Sequence, residues 1–263
     1  SQEGLYQHFR ACAEATELPV VLYNVPGRTG KNIEADTVLR LARDVKNVLA
    51  LKEASGDLTQ VSRICAGKPD SLDVYSGEDA VTLPMLAVGC IGVISVVSHV
   101  VGPQMADMIA AFHAKDTQRA WRIHHKLLDV YEACFLPSGN PACVTYALEV
   151  CGFPVGSSRL PVVPPSEKDA ARIRQVCEAL GLAGGSSAVD GRPGVFGHGV
   201  AMWPRYGRVR RALAAWCGLA LRGSRIGGRG AGRVDRLRRR GRIPRRGKAV
   251  GHAGRDRRRA GAA

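Results

Sequence analysis

Apolar residues along the first hundred positions follow two rhythms in turn. One is a three-to-four spacing that suits an amphipathic helix; the other is a short continuous run that suits a strand buried on both faces. Within Gly4 to Thr16, residues Leu5, Phe9, Cys12 and Ala13 share one helical face, and Pro19 to Asn24 then reads as a strand. The alternation continues, predicting helices over Glu34 to Asp44, Asp57 to Ala66 and Glu78 to Val88, and strands over Val48 to Glu53, Leu72 to Ser76 and Ile91 to Val97. Repeated βα units of this kind predict an α/β fold with a parallel sheet. Strands beginning near positions 19, 48, 72 and 91 have the spacing of half a (β/α)8 barrel, a complete one needing about 250 residues. Half a barrel has two open edges, which must be covered or paired.

Beyond these strands the helical period takes over. Gln104 to His113, Thr117 to Phe135, Pro141 to Val150 and Pro165 to Leu180 each read as a helix. The expected organisation is therefore a C-terminal half of a (β/α)8 barrel over residues 1–100, a helical extension over 101–182, and a different kind of segment over 183–263.

Charge separates that last segment from the rest. The chain carries +15 overall, but residues 184–263 hold 20 Arg and 1 Lys against 3 Asp, a net of +18, which leaves −3 for residues 1–183. Nucleic-acid binding through the basic tail is thus only a less favoured alternative, and neither a nucleic-acid nor a membrane partner is expected. With 18 Gly and 12 Ala among its 80 residues and no sustained apolar period, the tail is expected to be disordered. Because Arg, Gly and Ala are amino acids with GC-rich codons and Lys is nearly absent, the tail also fits an unselected reading frame entered by a frameshift near Leu182. The eight cysteines stand singly, without a CxxC pair or zinc-site spacing, as free thiols do in a reducing compartment. No run of about 18 apolar residues is present, and SQEGLYQHFR lacks a signal-peptide core, so a cytoplasmic protein is expected. Nothing indicates a metal or an organic cofactor.

One residue stands out chemically. Lys52, in VLALKEASG, sits at the C-terminal end of a strand that otherwise reads as buried. The pattern alone leaves two readings, a lysine that extends its ammonium out of a strand end, or a catalytic amine, because barrel active sites form at the C-terminal ends of strands. Tyr23, Ser76, Gly77 and Ser95 fall at such ends too. A neutral amine there can attack a ketone, giving an iminium whose neighbouring C–H is easily deprotonated to a nucleophilic enamine. With a reference pKa near 10.4, roughly one lysine in two thousand is neutral at pH 7, so the chemistry requires desolvation to lower that pKa.

Two linked motifs carry a resemblance. Tyr23-Asn24-Val25-Pro26-Gly27-Arg28-Thr29-Gly30 is followed, 29 residues after the tyrosine, by Lys52-Glu53-Ala54-Ser55-Gly56. The pair resembles the dihydrodipicolinate synthase family, and Ser76-Gly77-Glu78-Asp79 and Gly92-Val93-Ile94-Ser95 match that family's next two strand ends. The resemblance runs to about residue 182. It implies condensation of pyruvate with aspartate semialdehyde to 4-hydroxy-tetrahydrodipicolinate on the route to diaminopimelate and lysine, with a homo-oligomeric enzyme. Lys52 would form the pyruvate Schiff base, Tyr23 would relay protons, and Arg28 would hold the aldehyde's carboxylate. Gly77 and Ile94 would line the pyruvate pocket. Arg28 distinguishes the synthase from other pyruvate-dependent Schiff-base lyases of the superfamily, whereas Asn140-Pro141-Ala142-Cys143-Val144-Thr145 departs from the family's NPIPVK segment by a proline and a lysine. Family members also carry four earlier βα units, with a paired-threonine motif, a second tyrosine and a lysine feedback site. The resemblance therefore implies an N-terminally truncated chain with an incomplete relay, for which a non-catalytic fragment is the alternative.

Overall fold

The structure is a computed structural model in which residues 1–184 are described. The tail beyond Gly184, with its expected disorder and its basic charge, lies outside the described residues.

Four strands form one parallel sheet in chain order: β1 (Val20–Asn24), β2 (Val48–Glu53), β3 (Asp73–Ser76) and β4 (Gly92–Val93). Helices α1 (Gln2–Glu14), α2 (Pro26–Thr29), α3 (Ala35–Asp44), α4 (Leu58–Gly67) and α5 (Thr82–Ala87) punctuate them. This is the parallel βα succession of half a (β/α)8 barrel, as the alternating pattern predicts. Side chains on one face of the strands, including Leu22, Leu51 and Val74, join Tyr6, Leu41, Val61, Ile64 and Met85 from the helices in a continuous core. Because side chains alternate along a strand, that commitment turns Tyr23 and Lys52 to the opposite face.

The helices begin where a side chain can satisfy their first amides. Ser1 accepts from the Gly4 amide, and Asp57 accepts from the amides of Thr59 and Gln60 at the start of α4. The extension comprises α6 (Ser98–His113), α7 (Thr117–Ala133), α8 (Ala142–Val150) and α9 (Glu167–Ala179). Its core of Met105, Met108, Ile109, Leu127, Val130 and Ile173 reaches Val93 of β4, so extension and sheet share apolar packing.

Four elements differ from the sequence-based expectation, the simplest being α6, which begins at Ser98 rather than Gln104. The apolar run Ile91 to Val97 supplies only a two-residue strand, because the chain turns away after the Ile94 amide bonds the Ser76 carbonyl, and the amides of Val96 and Val97 instead donate to the Asp79 carboxylate. Helix α5 starts at Thr82 rather than Glu78, since Ser76 Oγ donates to the Glu78 carbonyl and holds this segment in a turn. The short α2, following Val25, was not anticipated; Pro26 opens it and Gly30, at φ 66°, closes it.

Candidate active site

The C-terminal ends of the strands form one wall of a cavity of about 1110 Å3. Register puts the chemistry in a row. Tyr23 of β1 stands opposite Lys52 of β2, which stands opposite Tyr75 of β3. Lys52 Nζ lies 4.3 Å from the centroid of the Tyr23 ring. Lys52 is half-buried and Tyr23 is 41% exposed, so the amine is sheltered from water on one side and open to the cavity on the other.

The surroundings bias the charge of this amine. Burial lowers the Lys52 pKa, the Asp79 carboxylate opposes that shift, and the Arg28 guanidinium adds to it. The net direction is downward, which enlarges the neutral, nucleophilic fraction. Asp79 itself is buried at the end of β3, and desolvation raises its pKa against the lowering effect of hydrogen bonds from Ser95 and from the Val97 and Val96 amides. One of its oxygens, Oδ1, has no hydrogen-bond partner among the described residues.

Four of the five residues singled out from sequence meet here. Tyr23, Arg28, Lys52 and Gly77 all line the cavity. Arg28 arrives on α2, the helix absent from the sequence-based reading. Gly77 is constrained by packing: a Cβ there would stand 2.7 Å from Ala54 Cβ and 3.0 Å from the Glu53 carbonyl oxygen, to which the Gly77 amide donates at 2.7 Å. Ile94 is placed elsewhere. It packs against Ala50 and Tyr75 just after β4 and is not part of the cavity wall.

The opposite wall holds residues that the sequence left without a role, beside the Asn140-Pro141 pair that begins the Asn140 to Thr145 motif segment. Tyr131 and Glu132 of α7, together with Asn140 and Pro141 of the loop before α8, complete the cavity. All four lie more than 75 positions from Lys52, and no local spacing announces Tyr131 or Glu132. Tyr131 lies in α7 with its hydroxyl buried against Met105 Sδ at 3.1 Å.

A second feature lies on the far face of the same strand ends. Glu53, 0% exposed, accepts from Asn24 Nδ2 at 3.0 and 2.9 Å, from the Ser55 amide at 2.7 Å and from Gln60 Nε2 at 3.3 Å. Polar residues immediately after Tyr23 and Lys52 in otherwise apolar strands were the available signal for it.

Residues 1–180 match the dihydrodipicolinate synthetase family. The chain is 49% identical over 182 residues to the 4-hydroxy-tetrahydrodipicolinate synthase of Moorella thermoacetica, a match covering 69% of this chain and 62% of that protein. Among solved structures, the dihydrodipicolinate synthase of Cyanidioschyzon merolae with lysine bound is similar at 43% identity and a TM-score of 0.67, over 69% of this chain and 61% of that one. The chloride-inhibited dihydrodipicolinate synthase of Acinetobacter baumannii, complexed with pyruvate, is similar at 36% identity and a TM-score of 0.65, over 69% and 62% of the respective chains. The chain thus spans about three-fifths of the length of the relatives it matches.

Proposed function

The chain belongs to the dihydrodipicolinate synthetase family, and from that premise we propose that its site carries out condensation of pyruvate with aspartate semialdehyde through a Schiff base on Lys52. The neutral Lys52 amine adds to the pyruvate ketone, and loss of water gives the iminium. Removal of a methyl proton yields the enamine, whose carbon attacks the aldehyde carbon. Ring closure by the amino group of the bound aldehyde adduct onto the former ketone carbon then expels Lys52 and regenerates the free amine. Tyr23, whose ring lies against Lys52 Nζ, is assigned the proton relay, because a phenol both donates and accepts. Arg28 is assigned to the carboxylate of the aldehyde, for which a guanidinium offers a two-pronged, charge-assisted contact. Gly77 and Ile94 are assigned to the pyruvate-facing side, Gly77 in the cavity wall and Ile94 packed beside it on Tyr75 and Ala50, on the same sheet face as Lys52.

The carrying observation is the half-buried amine at a strand end, with its pKa lowered by burial and by Arg28, facing a cavity large enough for both substrates. Association of copies belongs to the same proposal, supported by membership of the family. A cytoplasmic setting is supported by the seven cysteines among the described residues, all of them free.

Incubation with pyruvate and borohydride, followed by peptide mass spectrometry, tests the proposal. Reductive labelling is expected on Lys52 and is expected to disappear in Lys52→Ala. A folded sample that takes up no pyruvate label would remove the catalytic reading.

A further inference from the structure

Lys52 and Tyr23 face the cavity, yet the groups that orient them lie on the other side of the sheet. The next residue along each strand, Asn24 and Glu53, is buried and points away from the cavity into a polar knot completed by Gln60 and the half-buried Asn32. Asn24 Nδ2 is within 3.0 Å of both Glu53 oxygens and 2.8 Å from Asn32 Oδ1, while its own Oδ1 accepts from the Ile33 amide at 2.9 Å. Asn32 Nδ2 donates to Gln60 Oε1 at 2.8 Å, and Gln60 Nε2 returns to Glu53 Oε2 at 3.3 Å. The Ser55 amide caps Glu53 Oε1 at 2.7 Å.

Every partner of the Glu53 carboxylate is a donor, and no cationic side chain hydrogen-bonds or ion-pairs with it among the described residues. A buried carboxylate held by neutral donors is costly unless each bond is kept. Such a site tolerates little displacement, and it spans β1, β2, the loop before α3, and α4. Backbone bonds continue the lock, since the Ala54 amide donates to the Asn24 carbonyl and the Gly77 amide to the Glu53 carbonyl. A shift or twist at residue 24 or 53 is passed directly to residue 23 or 52, because adjacent residues of a strand are rigidly alternated.

We infer that Asn24 and Glu53 are positioning residues for the Schiff-base reaction, a buried clamp on the back of the sheet that sets the separation and orientation of Tyr23 and Lys52 on its front. The inference rests on the Schiff-base reading of Lys52. Displacing a reacting group by about 1 Å costs up to about a hundredfold in rate, so loosening the clamp is expected to cost about tenfold or more.

The test measures the rate at which borohydride-trapped pyruvate accumulates on Lys52, scaled to the natively folded fraction at a temperature well below melting. Glu53→Gln sets an amide NH2 against that of Asn24, and Asn24→Asp sets two carboxylates against one another. Each is expected to slow labelling about tenfold. The double variant Asn24→Asp/Glu53→Gln restores a donor opposite an acceptor and is expected to recover to within about threefold of the parent. Should a single variant fail to fold, Gln60→Leu, which removes an outer partner alone, is measured in its place, with an expected loss of about threefold. A purely structural role would lower the melting temperature of these variants and leave the scaled labelling rate unchanged, which would overturn the inference, as would a double variant no faster than the singles. Absence of label in the parent chain would sink the Schiff-base reading, and the inference with it. A labelled parent with equally fast variants would sink the inference alone.

Discussion

Gly77→Ala isolates one close approach at the strand ends. The glycine has no positive φ to preserve, so the cost is one of space. The added methyl would meet Ala54 Cβ at 2.7 Å, the Glu53 carbonyl oxygen at 3.0 Å and the Glu53 carbonyl carbon at 3.1 Å. Two of these three neighbours are backbone, which cannot rotate away, so β3 must move off β2. The same movement lengthens the 2.7 Å bond from the Gly77 amide to the Glu53 carbonyl. Overpacking of this type costs about 1–3 kcal/mol, and weakening one buried hydrogen bond adds about 0.5–1.5 kcal/mol, giving about 2–4 kcal/mol together. At about 2–4 °C per kcal/mol for a folded region of this size, the melting temperature is expected to fall by about 4–16 °C. Urea and thermal unfolding, followed by circular dichroism, measure it. Gly4→Ala serves as the comparison: this glycine is exposed within α1, the nearest atom is Ser1 Oγ at an ordinary 3.4 Å, and a gain of up to about 0.5–1 kcal/mol is expected. A Gly77→Ala protein within about 0.5 kcal/mol of the parent would refute the packing account of this position.

Other substitutions probe the charges around Lys52 and the helix ends. The rate of pyruvate labelling is expected to rise with pH as Lys52 deprotonates, with a midpoint below that of an ordinary lysine; Arg28→Gln should move the midpoint up and Asp79→Asn should move it down, because the guanidinium disfavours the ammonium and the carboxylate favours it. Unmoved midpoints would show that neither charge reaches the amine. Hydrogen bonds from the Ser138 side chain and amide hold the Asp169 carboxyl below its usual pKa. Its stabilising contribution is therefore complete above the ordinary aspartate pKa and lost as pH falls through the lower folded value. The stability gap between the parent and Asp169→Asn should accordingly close in acid, and a gap independent of pH would count against this. Asp57→Ala removes the side chain that accepts from the Thr59 and Gln60 amides, so a loss of about 1 kcal/mol is expected in urea unfolding, and no loss would mean that α4 is held by packing alone.

Much of this protein was legible in one dimension. Strand and helix succession followed from apolar period, because burying one stripe of a helix or both faces of a strand leaves a periodic trace. Lys52 and Tyr23 were legible as reactive types at strand ends, Arg28 and Gly77 only through the family resemblance of their motifs, and the structure gathers all four around one cavity. Where a segment's fate depended on distant partners, the period misled. The apolar run Ile91 to Val97 has the composition of a long strand, yet the Asp79 carboxylate captures the amides of Val96 and Val97 and ends the strand at Val93. Ile94 matched a motif at a strand end, and its packing on Ala50 and Tyr75, on the sheet face that carries Lys52, is visible only in the fold. Tyr131 and Asn140 enter the cavity only because α7 and the loop before α8 fold back over the sheet. The sequence by itself determined which residues could do chemistry and which faces had to be buried, since both are properties of short stretches. Tertiary structure alone decided the lowered pKa of Lys52, the enclosure of Glu53 and the far wall of the site, because desolvation and hydrogen bonding arise from atoms that are neighbours in space and remote along the chain.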